Sequence, residues 1–333
     1  DVAVRRVAPS GIQLSIDGGE MLNTRDNPLA TDMANFLPGG GLGKHSQDEL
    51  QSILAGHTLG WGFDATPETF VSSAQTTPQD LRLQLQVLAA LVSDPGYRPE
   101  GEVEYRVNIN NFFAQVRASP GSAMNNSLGG ILSDNDPRFT LQDPDAYRKL
   151  SYAGLKAAIG DRLAKGAIEI GIAGDIDEQQ AIDAVASTFA ALPGREPEFR
   201  PYPEQRTRTF TANRLKRVIR HTGPKNQALI RMTWPTTDDS DQFRAIGLQL
   251  LERIVLIELM ESLREKLGKT YSPGASSAPS HYWRGYGTFA VAASVDVGDV
   301  PAARAAILET LARLRDKPVS ENTIGPTLGA VQT

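Results

Sequence analysis

Two side chains that donate hydrogen bonds, Arg264 and Tyr271, stand seven residues apart in the segment LREKLGKTYSPG. The apolar periodicity places Arg264 in the last turn of a long helix, Gly268 at its end and Tyr271 at the start of a strand. A guanidinium and a phenol presented to one cavity can donate to a carbonyl or a developing oxyanion. Spacing alone favours a structural role, since a cation near a helix C-terminus interacts well with the helix dipole.

The remaining candidate groups are sparse. The chain has no cysteine, which excludes thiolate nucleophiles and cysteine-based zinc sites. Its four histidines never come closer than 12 residues apart, so a helix with an H-x-x-E-H zinc motif is excluded; they are His45, His57, His221 and His281. His45 and Glu49 are four residues apart without a third ligand nearby. Glu49 is better explained by a capping box with Ser46.

Composition narrows the class of protein. A length of 333 residues favours two domains, and 40% hydrophobic with 22% charged residues is typical of a globular chain. A net charge of −5 argues against nucleic acid as a partner. No apolar run reaches the roughly 18–20 residues of a membrane span. The N-terminus DVAVRRVAPSG has neither an initiator methionine nor an apolar signal region, so we expect part of a longer polypeptide.

The predicted elements are mixed helices and strands. Helix signals, chiefly caps and apolar stripes, cover 46–55, 77–93, 99–117, 122–133, 151–163, 177–192, 241–266 and 300–315. Strand signals cover 61–75, 167–173, 216–221, 228–234, 271–277 and 285–295. The helix over 241–266 is apolar on nearly all sides, which predicts that it is largely buried.

An internal repeat relates the two halves of the chain. The pattern of strand, helix and proline-containing turn that starts at Thr69 returns at Thr288, 219 residues later. We therefore predict two copies of one α+β unit, each a sheet backed by helices, over residues 1–160 and 161–333.

The segment with Arg264 and Tyr271 closely resembles the C-terminal half of the pitrilysin (insulinase) family of zinc metallopeptidases. Family members carry R-E-x-x-G-x-x-Y at such a helix end, and Arg264, Glu265, Gly268 and Tyr271 match it. The segments 230–241, 285–296 and 76–100 are also similar to the family. The likeness covers about residues 20–325.

The family's zinc motif is degenerate at its equivalent place in this chain. Members carry H-x-x-E-H on a helix, where the histidines bind zinc and the glutamate activates water. In the segment PLATDMANFLPGGG, Thr31 and Asn35 stand where the histidines would be, and Ala34 replaces the glutamate. The resemblance therefore implies a metal-free copy, with no cofactor in this chain and zinc on a partner half.

The resemblance implies a fold and a function. The fold is α+β, with two homologous domains, each a mainly antiparallel sheet backed by helices, as in the mitochondrial processing peptidase. The expected function is the C-terminal half or subunit of a zinc-dependent endopeptidase that acts on peptides in an enclosed chamber. Arg264 and Tyr271 would bind substrate and stabilise the tetrahedral intermediate.

The expected partners are the zinc-bearing N-terminal half or subunit and a peptide substrate. Without that half, the chain is predicted to be inactive. A periplasmic or otherwise exported location agrees with the resemblance. The alternative is a non-catalytic assembly subunit of the same fold, because the family includes relatives that lost the zinc motif.

Overall fold

The computed structural model describes residues 10–267, 272–317 and 319, with the backbone alone at 265–267. Contacts divide the chain into two compact units. Unit 1 lies within Asp1–Phe112 and Gln142–Gln205, and unit 2 lies within Phe113–Leu141 and Arg206–Thr333.

These units do not follow the predicted boundary between residues 160 and 161. The strand Ile168–Ala173 pairs with the strand Ser10–Asp17, and the helix Glu178–Ala186 contacts the helix Leu81–Ser93. Because of these contacts, residues 142–205 belong to unit 1. Residues 113–141 instead join unit 2, where the helix Pro120–Leu132 contacts the strand Gln227–Thr236. Long-range pairing, which local sequence signals do not encode, sets this division.

Unit 1 is built on a four-stranded antiparallel sheet in the order β2-β3-β1-β4. Its strands are β1 (Ser10–Asp17), β2 (Asp64–Ala65), β3 (Thr69–Thr76) and β4 (Ile168–Ala173). Apolar side chains alternate along β1, so Ile12, Leu14 and Ile16 are buried while Gly11 and Gln13 are exposed on the other face.

The described part of unit 1 contains six α-helices, including two that contact the sheet. The six helices are α1 (Gln47–Ile53), α2 (Leu81–Ser93), most of α3 (Pro99–Gln115), α5 (Pro144–Arg148), α6 (Tyr152–Lys165) and α7 (Glu178–Ala186). The helix between α3 and α5, α4 (Pro120–Leu132), belongs to unit 2. α2 contacts β3, and α6 contacts β1. Leu85 and Leu88 of α2 and Ile159 of α6 are fully buried.

Unit 2 contains a three-stranded antiparallel sheet in the order β5-β7-β6. Its strands are β5 (Gln227–Thr236), β6 (Ser272–Pro279) and β7 (Gly287–Asp296), backed by α8 (Gln242–Leu267) and α9 (Val300–Asp316). One core joins the layers, with Val255, Leu259 and Leu263 of α8 packed with Val291 of β7 and Ile307 of α9. The predicted fold class, α+β with antiparallel sheets backed by helices, is confirmed.

Two local predictions were wrong. Residues 216–221 form no strand; Val218 is 73% exposed, so this highly charged segment has no apolar face to bury. The helix α8 is not largely buried in the part of the chain that the structure describes. One side packs in the core, but Phe243 is 89% exposed, and Ile246 and Met260 are also exposed.

No helix among the described residues is both long enough and apolar enough to cross a membrane.

Candidate functional site

Arg264 lies in the last turn of α8 and is exposed to solvent. Its neighbour Leu263 is fully buried in the core of unit 2 together with Leu259. Because Leu259 and Leu263 fix the helix rotation, the side chain of Arg264 emerges beside the core rather than within it. The position predicted for a substrate-facing arginine is therefore accessible.

Two polar contacts hold α8 against its neighbours. The Glu252 carboxylate accepts a hydrogen bond from the backbone N–H of Ser277 on β6, with an Oε2 to N distance of 2.7 Å. About two and a half turns before its end, α8 also carries Glu258, which is mostly buried and forms an ion pair with Arg313 of α9. Both contacts tie α8, the helix that carries Arg264, to the neighbouring elements β6 and α9.

The second predicted residue, Tyr271, lies outside the described residues, as does Gly268. β6 begins at Ser272, directly after Tyr271 in the chain. α8 packs against β6, so the chain leaves one packed element and enters the other within the intervening segment. The structure thus places α8 in contact with β6. That Arg264 and Tyr271 face one cavity stays a prediction.

The degenerate zinc segment does not form the helix on which family members carry the zinc motif. Residues 28–33 are turns, followed by a 3₁₀ segment over Ala34–Gly40 that contains Pro38. Thr31 is buried, and both its backbone N–H and its hydroxyl donate to the Asn23 side chain, at 3.2 and 3.1 Å. This contact gives Thr31 a structural role in holding the segment.

A polar pocket of about 220 Å³ surrounds this segment, which sequence reasoning missed. Its lining includes Thr31 and Asn35, with carboxylates from three separate segments, Glu20, Asp32 and Asp64. The hydroxyl of Tyr105 donates to Asp32 at 2.7 Å, and burial nevertheless raises the pKa of the Asp32 carboxyl above its ordinary value. Only the folded chain shows that these carboxylates share a pocket.

These residues do not fit a catalytic zinc ion. Such a site uses three imidazole or carboxylate ligands converging on one point, and histidine is absent from this pocket. Across the residues described, no group of three or more histidine, aspartate or glutamate side chains is arranged to hold a metal.

The other candidates have structural roles. The capping box is present: Ser46 Oγ accepts from Glu49 N at 3.2 Å, and Glu49 Oε2 accepts from Ser46 N at 2.8 Å. The hydrogen bond from the Ser46 backbone N–H lowers the pKa of the Glu49 carboxyl. The glycine-rich segment over residues 39–43, GGGLG, is bound by Arg98, which donates to the carbonyls of Gly40 and Gly43 at 2.9 and 2.7 Å. These two hydrogen bonds hold the segment against the protein.

Comparison with known families identifies the class to which this architecture belongs. Residues 149–324 match the family model described as the peptidase M16 inactive domain. The matched region includes β5, α8 and Arg264. Because the match covers more than half of the chain, the protein belongs to the peptidase M16 family. The predicted relationship to the C-terminal half of a pitrilysin-type peptidase is confirmed.

Solved structures share the fold at low sequence identity. The periplasmic protease PqqL from Escherichia coli has a TM-score of 0.78 at 12% identity, covering 99% of this chain and 36% of PqqL. The peptidase M16 inactive domain from Pseudomonas fluorescens has a TM-score of 0.74 at 17% identity, covering 98% and 80%. A mutant of the ferredoxin protease FusC in complex with Arabidopsis ferredoxin has a TM-score of 0.72 at 14% identity, covering 97% and 35%.

The chain therefore spans about a third of the length of PqqL and FusC. No curated protein matches the sequence significantly.

Proposed function

We propose that this chain is the C-terminal half or subunit of a zinc-dependent endopeptidase that acts on peptides in an enclosed chamber. The observation that carries the proposal is the match of residues 149–324 to an inactive peptidase domain. The fold likeness to about a third of a much longer protease supports it. A domain that is inactive by itself needs a catalytic partner, which is the zinc-bearing half.

In this proposal, Arg264 and Tyr271 reach the substrate near the zinc of the other half. The guanidinium and the phenol hydrogen-bond the peptide backbone or the oxyanion of the tetrahedral intermediate. Such donors act most strongly when the scaffold holds them before the reaction begins. The exposure of Arg264 and the two anchors of α8, Glu252 and Glu258, support this role.

The zinc and the general base belong to the partner half. Thr31, Ala34 and Asn35 in this chain have neither the ligands nor the base that the reaction needs. When bound on the other half, zinc would supply the activated water and polarise the scissile carbonyl. A periplasmic or otherwise exported location is part of the proposal, because PqqL is a periplasmic protease.

The alternative function is a non-catalytic assembly subunit. The absence of catalytic activity that the family description implies favours this reading. The pair of Arg264 and Tyr271 favours the enzyme, because a scaffold needs neither side chain. The two functions differ in whether these residues affect hydrolysis.

The proposal is tested by mixing this chain with its zinc-bearing half and following the cleavage of a quenched fluorescent peptide. We expect hydrolysis only in the mixture, and its loss when a chelator removes zinc. Metal analysis of this chain alone should find no stoichiometric zinc. One tightly bound zinc per chain, hydrolysis by this chain alone, or a mixture no faster than the zinc-bearing half would contradict the proposal.

A further inference from the structure

The direction of the backbone groups on β4 follows from its pairing with β1. In antiparallel strands, alternate residues turn both the N–H and the C=O toward the same neighbour. The N–H of Asp17 donates to the carbonyl of Ala167 at 3.0 Å, and the register pairs Ser15 with Glu169 and Gln13 with Gly171. Odd-numbered residues of this segment therefore bond to β1.

The even-numbered residues of β4 consequently direct their backbone groups away from the sheet. They are Ile168, Ile170 and Ile172. β4 is the last strand of the four, and no backbone hydrogen bond from a described residue reaches these three on their outer side. Three N–H and three C=O groups thus form a row that one extended backbone can pair with.

The two edges of the sheet in unit 2 are partly protected. On β6, the outward residues include Pro273 and Pro279, which have no N–H, and the outward N–H of Ser277 is bound by Glu252. On β5, Pro235 interrupts the outer edge and the His221 ring contacts the Gln227 carbonyl at 3.0 Å.

β4 has no such protection. It contains neither proline nor lysine over its six residues, IEIGIA, and these are the residues that commonly prevent strand addition. The opposite edge of the same sheet, β2, is only two residues long. Of the sheet edges that the structure describes, β4 is therefore the one best suited to receive another strand.

The face of the sheet beside this edge can accommodate side chains of an added strand. It is concave, with a volume of about 710 Å³, and it carries small or polar side chains, including Gly171, Ala173, Gln13 and Glu169. An added strand would lie about 4.8 Å beyond β4 and direct alternate side chains to this face. The carboxylate of Glu169 favours a basic side chain there.

We propose that the outer edge of β4 binds an extended segment of peptide substrate by strand addition. This inference rests on the proposed function, because a peptidase half that holds unfolded peptide needs a surface that recognises the backbone rather than one sequence. The main-chain hydrogen bonds give affinity, and the open face tolerates varied side chains.

The test uses this chain and a fluorescein-labelled peptide of about ten residues with alternating valine and lysine, long enough to span β4. Anisotropy gives the dissociation constant. Ile170→Pro removes the central outward N–H without removing a hydrogen bond to β1, and Ile170→Ala is the matched control that keeps the N–H. We expect Ile170→Pro to weaken binding at least about fivefold and Ile170→Ala to change it less than about twofold.

Hydrogen exchange on the parent protein provides a test without any substitution. Bound peptide should slow exchange of the Ile170 and Ile172 amides, while the Gly171 amide, already bonded to β1, should change little. Equal affinity of both variants for the peptide, or no selective slowing at residues 170 and 172, would overturn the proposal. So would light scattering that shows a dimer of the parent chain and a monomer of Ile170→Pro, because the edge would then bind a second copy.

Different results would contradict the peptidase assignment and the proposal for the β4 edge. If the assembled enzyme cleaves peptide equally well with Ile170→Pro, the edge proposal falls and the peptidase assignment stands. If the chain binds peptide through β4 but the mixture of halves never hydrolyses it, the peptidase assignment falls and the edge proposal stands.

Discussion

The carboxylate of Glu252 on α8 lies 2.7 Å from the backbone nitrogen of Ser277 on β6 and accepts its hydrogen bond. This contact joins the helix that carries Arg264 to the strand that follows Tyr271. It also occupies an N–H on the outer edge of β6, which would otherwise be open to another strand. One side chain thus ties α8 to β6 and protects a sheet edge.

We expect Glu252→Ala to lower the free energy of unfolding by about 1–2 kcal/mol, because the Ser277 N–H loses a charged acceptor. Glu252→Gln keeps an acceptor oxygen and should lose less than half as much. Urea unfolding of the three proteins measures this order. Equal losses for both variants would show that the hydrogen bond is not what Glu252 contributes.

A buried ion pair stabilises unit 1. The Arg162 guanidinium contacts Asp17 and Glu196 at 2.9 and 2.8 Å, and the side chains of Arg162 and Asp17 are 2% and 1% exposed. Arg162→Met leaves Asp17 buried without its cation, so we expect a loss of about 3–5 kcal/mol in the free energy of unfolding. Urea titration measures it.

A matched control for this prediction is Arg148→Ala, since the ion pair of Arg148 with Asp145 is largely exposed. The expected loss there is below about 1 kcal/mol. If Arg162→Met unfolds at the same urea concentration as the parent, the buried pair is not a net source of stability.

The same cluster predicts a dependence on acid. Hydrogen bonds from Arg162, and then from Arg200, lower the pKa of Glu196 from its ordinary 4.5 to about 2. A carboxylate with a lowered pKa in the folded state stabilises the fold above its unfolded pKa and loses that contribution as pH falls. Its contribution should therefore be complete at neutral pH and decline between about pH 4.5 and 2.

Unfolding free energies of the parent and of Glu196→Gln, measured by urea at several pH values, test this expectation. Glu196→Gln should be less stable than the parent at neutral pH, and the difference should shrink below about pH 4.5. A difference that is constant over this range would show that the Glu196 charge is not involved.

Local signals predicted many elements well. Ser151 and Asp177 were predicted to begin helices, and their side chains accept from the backbone nitrogens of Gly154 and Gln180 at 3.3 and 2.9 Å. Such caps involve residues three apart, so the sequence shows both partners together. The resemblance to one peptidase family was visible for the same reason, since its motif around Arg264 is contiguous.

Relationships between distant residues were not visible in the sequence. The pocket around Asp32 combines segments that are far apart, and the free edge of β4 depends on which residues of β1 face it. The error on α8 has a physical cause as well. An apolar pattern on all sides of a helix predicts that both of its faces are covered, but it does not show what covers each face. Here one face packs in the core while Phe243 stays exposed.

The catalytic efficiency of the assembled enzyme with substitutions at Arg264 and Tyr271 tests the central claim most directly. The claim is that this half supplies chemistry to the reaction as well as structure. Arg253→Ala is a matched control, because Arg253 is also an exposed arginine on α8. It lies eleven residues, about three turns, before Arg264. Peptide cleavage by each variant mixed with the zinc-bearing half, with unfolding measured alongside, gives the comparison.

We predict that Arg264→Ala and Tyr271→Phe each lower kcat/KM by about 10²–10³, the usual effect of removing one oxyanion donor, with little change in the stability of Arg264→Ala. Arg253→Ala should cleave at the parent rate. Cleavage at the parent rate by both Arg264→Ala and Tyr271→Phe would contradict the account and favour the non-catalytic assembly subunit.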